Sequence, residues 1–240
     1  MPRTELHRGE SHSPHRAVTG GTARAAVFGV SDGLVSNVSL ILGFAGSDAD
    51  ASIVRLAGLA GAIAGGISMA AGEWISISAQ NELIERELDI ERREIATDPR
   101  AETAELIRMY EADGMDPDHA ERAAADVMRE PAEALAVHAR AELGIDPAKL
   151  ASPARAAASS LLCFLIGAIL PVLPWLGSAS GVAPAAASVV IGVLAAAVVG
   201  ALIGRIAARS VLRSMLRQVA IVVGACAVTY LIGRAVGISV

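Results

Sequence analysis

The chain has 240 residues, of which 53% are hydrophobic and only 3% aromatic, and its mean hydropathy is +0.51. This composition is too apolar for an ordinary soluble domain, and the formal net charge of −5 argues against nucleic acid as a partner. Cys163 and Cys226 both lie in apolar runs without metal-ligand spacing, so no disulfide framework is expected.

Apolar residues fall in blocks, which predicts an all-α membrane protein. Residues 1–22 are polar and lack the apolar core of a signal peptide, so we expect a disordered cytoplasmic tail. Residues 23–77 and 151–240 are mostly apolar, whereas residues 78–150, termed the insert below, are highly charged. The apolar blocks divide into stretches near the roughly 20 residues that a bilayer requires. We therefore predict five transmembrane helices, two before the insert and three after it, over 23–45, 53–77, 156–176, 183–203 and 219–236.

Span one carries a carboxylate near its middle. Asp32 lies in the sequence Gly-Val-Ser-Asp-Gly-Leu of residues 29–34, and Asn37 follows little more than one helical turn later. Burial of an unpaired carboxylate at membrane depth costs several kcal/mol. Asp32 is therefore expected to be neutralised, hydrated or metal-bound, and we take Asp32 and Asn37 as candidate transport-pathway residues.

Span two offers two further candidates for the pathway. Met69 and Glu73 are four residues apart, which places them on one face of a helix. A carboxylate oxygen with a thioether sulfur suits a first-row ion such as Fe²⁺ better than Mg²⁺ or Ca²⁺. The alternative for Met69 alone is a packing residue in the membrane.

The second span continues without a break into an acidic helix. Glu87, Glu91 and Glu94 follow one another at spacings that put them on one side, where like charges repel by a few tenths of a kcal/mol per pair. A divalent cation would relieve this repulsion. Glu102 and Glu105 repeat the spacing of Glu91 and Glu94 on the next helix. An antiparallel return of the chain would bring these two pairs face to face. The alternative is a solvated acidic face.

Helix-capping signals divide the rest of the insert. The first helix is predicted to end near Ala96 and the second to occupy 100–112. Asp116 is the expected N-cap of a third helix, which begins with a proline. A fourth follows Pro131 and is expected to end at Gly144, a residue type that favours the C′ position.

Arginine placement predicts the orientation. The connection between the fourth and fifth spans carries four arginines at spacings of four, which favours the cytoplasmic side for that connection, the N-terminus and the insert: Arg205, Arg209, Arg213 and Arg217. The scarcity of lysine beside abundant alanine and arginine is typical of GC-rich bacteria, which favours the plasma (inner) membrane as the location.

Several motifs together resemble the vacuolar iron transporter family, in particular its bacterial and nodulin-like branches. They are the sequence of residues 29–34, Gly-Gly-Ile-Ser-Met-Ala-Ala-Gly-Glu-Trp over 65–74, the glutamate-rich helix, and Glu-Leu-Gly-Ile-Asp over 142–146. The resemblance covers roughly residues 16 to 238. It implies a five-span homodimer that moves Fe²⁺, and sometimes Mn²⁺ or related ions such as Co²⁺ and Zn²⁺, out of the cytosol in exchange for protons. It implies no permanently bound cofactor, and a vacuolar membrane if the chain is eukaryotic.

The resemblance also implies roles for individual residues. Asp32 and Met69 would line a path between two copies of span one. The insert ligands would be Glu91, Glu94, Glu102, Glu105 and Glu142.

Two positions depart from the family pattern. Plant-type members carry a glutamate two turns before the methionine, where this chain has Gly61; Glu73 offers a carboxylate on the same face instead. The insert position of an expected methionine ligand is His138, followed by Ala139 where a glutamate is expected. His138 and Glu142 share a helix face, so we expect the imidazole to replace the thioether.

Proton-coupled export of Fe²⁺ is the leading hypothesis, because a carboxylate in a low-dielectric site binds either a proton or a cation. Two other functions stay open. A membrane-anchored di-iron oxidase would need Glu-x-x-His units, which this sequence lacks. A structural membrane protein with an acidic docking insert would explain the acidic helix but not Asp32.

Overall fold

The computed structural model describes residues 21–177 and 180–237, and the side chains from residue 26 onward. The predicted tail lies outside the described residues except for Gly21 and Thr22, which begin the first helix. Within the described ranges all regular structure is helical. The α-helices, in chain order, are α1 (Gly21–Gly46), α2 (Ala51–Thr97), α3 (Pro99–Ala112), α4 (Pro117–Val127), α5 (Pro131–Glu142), α6 (Pro153–Ile169), α7 (Val182–Ile206) and α8 (Val211–Gly237).

Among the described residues, five segments are long and apolar enough to cross a membrane, which confirms the predicted number of spans: Ala26–Gly46, Ala51–Thr97, Pro147–Trp175, Val182–Ile206 and Val211–Gly237. The third span ends at Trp175, one residue before the predicted end, but its helix type changes on the way, and the fifth helix starts earlier than predicted. The third span leaves α-helical geometry at Leu170, because Pro171 and Pro174 lack the N–H donors of an α-helix, and it finishes as a 3₁₀-helix. The fifth helix begins eight residues before Val219, at Val211, because arginines are tolerated in its polar first turns.

Helix α1 lies at the centre of the membrane bundle and contacts α2, α6, α7 and α8. On one side Leu34 and Val38 are fully buried with Ala196 of α7 and Val222 of α8. On the other side α1 and α6 touch through glycines. A Cβ atom on Gly33 would collide with the carbonyl oxygen of Phe164, and one on Gly167 with that of Val30. The two backbones are therefore in direct contact.

The close α1–α6 contact predicts a strong effect of a single methyl group. In Gly167→Ala the two helices must separate, so we expect a loss of about 1–3 kcal/mol of stability, seen as a lower Tm of the detergent-purified protein. Gly224→Ala is the control, because a Cβ there meets no atom within 4 Å. Equal Tm values for the two variants would contradict this packing.

Helix α2 is a single helix of 47 residues. At 1.5 Å per residue it is about 70 Å long, more than twice the roughly 30 Å hydrocarbon core of a bilayer. Its second half extends beyond the apolar part, as the sequence predicted, and α3–α5 pack beside that half, with α5 against α2.

The caps predicted at Asp116 and Gly144 are confirmed, and the structure adds an N-cap at Asp98. Asp98 caps α3 by accepting the N–H of Ala101 at 3.1 Å, and Asp116 caps α4 by accepting that of Asp118 at 3.1 Å. Gly144 follows α5 with φ of +66°, a left-handed conformation that favours glycine. These caps set the turns that return the chain toward α2.

Candidate functional site

Four side chains from three helices converge inside the insert. His138 is 0% exposed. Its Nδ1 lies 3.1 Å from Glu91 Oε1, 3.1 Å from Glu142 Oε1 and 3.7 Å from Glu102 Oε2. We call Glu91, Glu102, His138 and Glu142 the acidic cluster. It brings together four of the residues predicted as insert ligands.

Apolar neighbours explain why these polar side chains face inward. Leu88 is buried three residues before Glu91 on α2. Leu106 is buried four residues after Glu102 on α3, and Ala134 four residues before His138 on α5. Residues three or four apart share a helix face, so burial of each apolar residue turns its polar neighbour into the cluster.

The hydrogen bonding of the acidic cluster is incomplete. Nδ1 of His138 is within hydrogen-bond range of Glu142. Glu91 Oε1 is buried and lies close to the imidazole, but not in hydrogen-bond geometry. Neither this oxygen nor His138 Nε2 has a hydrogen-bond partner among the described residues. Buried polar atoms without partners cost free energy, and a cation bound between the carboxylates and the imidazole would satisfy Glu91. Ligand atoms of Glu91, His138 and Glu142 lie within 4.8 Å of one another, close enough to bind one ion.

Electrostatics favour protonation of Glu91 and Glu102 when no cation is bound. Burial, together with the negative charge of Glu142, raises the pKa of Glu91 to about 7, although His138 opposes the rise. Burial also raises the pKa of Glu102, again opposed by His138. Because a ligating carboxylate must be ionised, a metal ion that enters the cluster displaces protons.

The raised pKa of Glu91 predicts the pH dependence of stability without metal. In the unfolded chain this carboxyl ionises near its ordinary value of 4.5, and in the folded protein near 7. Between these values the folded state retains a proton that the unfolded state releases, so stability falls as pH rises from 4.5 to about 7 and then levels off. Glu91→Gln removes this titration.

We therefore expect Glu91→Gln to be more stable than the wild type above pH about 7 in the presence of a chelator, and to lose this advantage near pH 4.5. Thermal unfolding across this pH range measures the difference. The control is Glu85→Gln, which removes one charge from an exposed position of α2. A constant difference between Glu91→Gln and wild type at all pH values would contradict the prediction.

The remaining predicted insert ligands surround the acidic cluster. Glu94 and Glu105 lie close enough to Glu102 for their negative charges to raise its pKa. Glu94 is exposed, however, and Glu105 faces Arg108 at 3.9 Å. Glu87 is half-buried one turn before Glu91 and forms no ion pair with any residue that the structure describes. None of these three contacts His138 within the described ranges.

A second candidate site lies within the apolar part of the bundle. A cavity of about 310 Å³, which we call the membrane groove, opens between α1 and α2. Its lining residues are Asp32, Ser36, Asn37 and Leu40 of α1, Gly61, Gly65, Ser68 and Met69 of α2, and Phe164 of α6. Asp32, Asn37 and Met69 are thus brought together. Glu73, one turn beyond Met69, is not among the lining residues.

Asn37 has a fixed orientation in the groove. It is 2% exposed, and its amide nitrogen donates to the carbonyl oxygens of Gly58 at 3.1 Å and Ala168 at 2.6 Å. Both N–H donors are therefore used. Its Oδ1 is buried without a hydrogen-bond partner and faces the groove, since a Cβ on Gly61 would lie 2.9 Å from it.

Asp32 occupies the open side of the groove. Its side chain is exposed on the single chain and forms no ion pair within the described residues. Sequence reasoning missed the serines: Ser36 and Ser68 add hydroxyl oxygens to the lining. Their positions, four residues after Asp32 and three after Gly65, already placed them on the same helix faces. The groove thus offers carboxylate, amide and hydroxyl oxygens together with one thioether.

Comparison with known proteins gives consistent matches. The sequence profile of the VIT family matches residues 23–234. Vacuolar iron transporter 1 of Oryza sativa subsp. japonica is 34% identical over 169 residues, 69% of this chain and 66% of that protein. The Arabidopsis thaliana protein of the same name is 29% identical over 182 residues, 76% of this chain and 73% of its own length. Vacuolar iron transporter homolog 2 of Oryza sativa is 37% identical over 172 residues, 69% and 67% of the two chains.

Proposed function

The chain belongs to the VIT family, and on that premise we propose that it exports Fe²⁺ from the cytosol in exchange for protons. The family makes it a multi-pass membrane protein that transports metal ions rather than an enzyme, which leaves the di-iron oxidase without support. The observation that carries the proposal is the membrane groove, where Asp32, Asn37 and Met69 meet within the spans. Mn²⁺, Co²⁺ and Zn²⁺ are further substrates of suitable chemistry.

The mixture of donors in the groove supports a first-row transition metal as substrate. Mg²⁺ and Ca²⁺ prefer sites made of oxygen alone. The thioether of Met69 beside the carboxylate of Asp32 favours a softer ion. Ser36, Ser68 and the fixed Oδ1 of Asn37 supply neutral oxygens, which replace part of the hydration shell without adding charge.

Asn37 is the group that we propose in place of the glutamate absent at Gly61. The sequence pointed to Glu73 for this role, but Glu73 is not among the residues that line the groove. Asn37 Oδ1 faces Gly61 directly and has no hydrogen-bond partner. The exchange of a carboxylate for an amide lowers the negative charge of the path, so the ion leaves more easily.

A second copy of the chain is proposed to complete the pathway. Asp32 is exposed on the single chain although it lies at membrane depth, where a carboxylate toward lipid is costly. Pairing of two copies through α1 would cover the groove and place two carboxylates around one ion. Like charges in one site raise each other's proton affinity, so protons and metal ions compete for the path.

The acidic cluster is proposed to collect ions on the cytoplasmic side. It lies in the insert, on the side of the membrane where α7 and α8 connect, and the four arginines of that connection favour a cytoplasmic location. Its carboxylates release protons when they bind a cation, which raises the local metal concentration below the groove. The source of the chain decides between plasma membrane and vacuolar membrane.

Transport into proteoliposomes tests the proposal. Vesicles with an acidic interior should take up Fe²⁺ or Mn²⁺ and lose protons as they do so, whereas collapse of the pH gradient by an ionophore should stop concentrative uptake. Uptake that runs at the same rate and to the same level without a gradient would exclude proton coupling. Uptake of none of the four metals would exclude the proposed function.

A further inference from the structure

A cavity of about 640 Å³ lies at the turn between α7 and α8, on the same side of the membrane as the insert. We call it the arginine cavity, because Arg209, Arg213 and Arg217 all line it. The other lining residues are small or aliphatic: Ile203, Ala207, Ala208, Ser210 and Ser214. Neither the metal sites nor the transport pathway described above uses it.

The charge of the arginine cavity has no counterpart in the structure. None of Arg209, Arg213 and Arg217 forms an ion pair with a carboxylate in the ranges 21–177 and 180–237, and the cavity lining includes no acidic residue. Three guanidinium groups around one space repel one another. An anion would reverse this, and guanidinium groups bind phosphate oxygens through paired N–H donors.

The backbone holds the arginine cavity in a fixed shape. The turn is closed by hydrogen bonds from Ala207 N–H to Ile203 O and from Arg209 N–H to Gly204 O, both 2.9 Å. A Cβ on Gly200 would lie 2.7 Å from Met215 Cα, so the backbones of α7 and α8 are in contact next to the cavity. The arginines therefore project from a rigid support.

Exposed aliphatic side chains lie next to the lining residues along the chain, although they are not part of the lining. Leu212 and Leu216 directly precede Arg213 and Arg217 on α8 and are 64% and 59% exposed, and Ile206 of α7 is 55% exposed. This combination of guanidinium groups and unburied aliphatic surface lies at the end of two membrane spans, where phosphate headgroups meet acyl chains. A soluble anion would use the arginines but leave the aliphatic surface uncovered.

We propose that the arginine cavity binds an anionic phospholipid, with the headgroup phosphate between Arg209, Arg213 and Arg217 and the acyl chains along Leu212, Leu216 and Ile206. This inference depends on the membrane setting of the chain, and not on the transported metal or on proton coupling. Failure of the transport assay would therefore leave it untouched.

Lipid binding to the purified full-length protein tests the inference. In a neutral detergent, binding of phosphatidylglycerol is measured by native mass spectrometry and by the rise in Tm, with phosphatidylcholine and inorganic phosphate as separate arms. We expect phosphatidylglycerol to bind in preference to both. Each arginine replaced by glutamine should weaken binding about fivefold, the attraction of one basic side chain to an anionic membrane surface, and the triple variant about a hundredfold.

Control variants separate the cavity from general charge and from misfolding. Arg155→Gln removes an exposed charge from the start of α6 on the same side of the membrane and should not alter lipid binding. Arg213→Lys keeps the charge but loses the paired donors. It should therefore bind phosphatidylglycerol more tightly than Arg213→Gln but less tightly than the wild type. A wild-type elution volume in size-exclusion chromatography and a wild-type Tm without added lipid show that each variant is folded.

Several results would overturn the inference. They are equal binding of the two lipids, an equal rise in Tm with inorganic phosphate, and wild-type lipid binding by the triple variant. A final arm adds a polyglutamate peptide. If the peptide stabilises the protein in an arginine-dependent way and phosphatidylglycerol does not, the cavity binds an acidic protein segment instead.

Discussion

Replacement of Asp32 by asparagine is expected to lower metal transport by at least about a hundredfold while metal binding by the insert stays unchanged. Asparagine has nearly the same shape, so the groove keeps its form, but the only carboxylate among its lining residues is lost. In the proposed dimer, where a second copy covers the groove, Asp32 and the bound ion would form a buried pair. Removal of one partner of such a pair costs about 3–5 kcal/mol, and about 1.4 kcal/mol corresponds to a factor of ten. Initial rates of Mn²⁺ uptake into proteoliposomes measure the loss.

Asp50→Asn is the matched control for this experiment. Asp50 precedes α2 in the connection from α1, and its side chain makes no capping hydrogen bond. The same chemical change there should leave the transport rate at the wild-type level. Wild-type transport by Asp32→Asn would show that the ion does not pass through the membrane groove.

Replacement of His138 by alanine is expected to weaken metal binding by the insert at least about a hundredfold. Loss even of groups behind the ligands costs 10–100-fold in metal affinity, and Nδ1 of His138 is the atom nearest to three carboxylates. Without the imidazole, Glu91, Glu102 and Glu142 repel one another with no cationic or neutral group between them. Calorimetric titration of the full-length protein with Mn²⁺ measures the affinity.

Two companion variants make the His138 experiment decisive. His119→Ala removes a histidine whose side chain is 70% exposed and which faces only Asp116, so it should bind metal like the wild type. His138→Met restores a ligand atom and the filled volume, and should recover part of the affinity. Because the membrane groove is unchanged, transport at saturating metal should persist in His138→Ala while KM rises. Wild-type affinity in His138→Ala would exclude the acidic cluster as the binding site.

Much of the fold could be predicted from the sequence because local signals decide it. The five spans follow from runs of apolar residues, and the helices of the insert follow from Asp98, Asp116 and Gly144, which act on their own neighbours in the chain. The change of helix type at the end of the third span was not predicted, although its cause is equally local. Pro171 and Pro174 change the helix type without breaking the apolar run.

The sites were less predictable because contacts between distant residues decide them. Glu91 and Glu94 belong to one acidic stripe, yet Glu91 is buried and Glu94 is exposed. The difference arises because α3 and α5 pack against α2, and His138 of α5 lies against Glu91. The orientation of Asn37 depends on a carbonyl group 131 residues away along the chain. Glu73 shares a face with Met69 in the sequence pattern, but the groove ends before the next turn.

The uninterrupted α2 connects the two candidate metal sites. Met69 and Glu91 both lie on this helix, about 33 Å apart at the rise of an α-helix. No proline lies between them to act as a hinge. If ion binding to the acidic cluster tilts or rotates α2, the same movement displaces Met69 within the membrane. We therefore expect ion binding to the acidic cluster to change the width of the membrane groove.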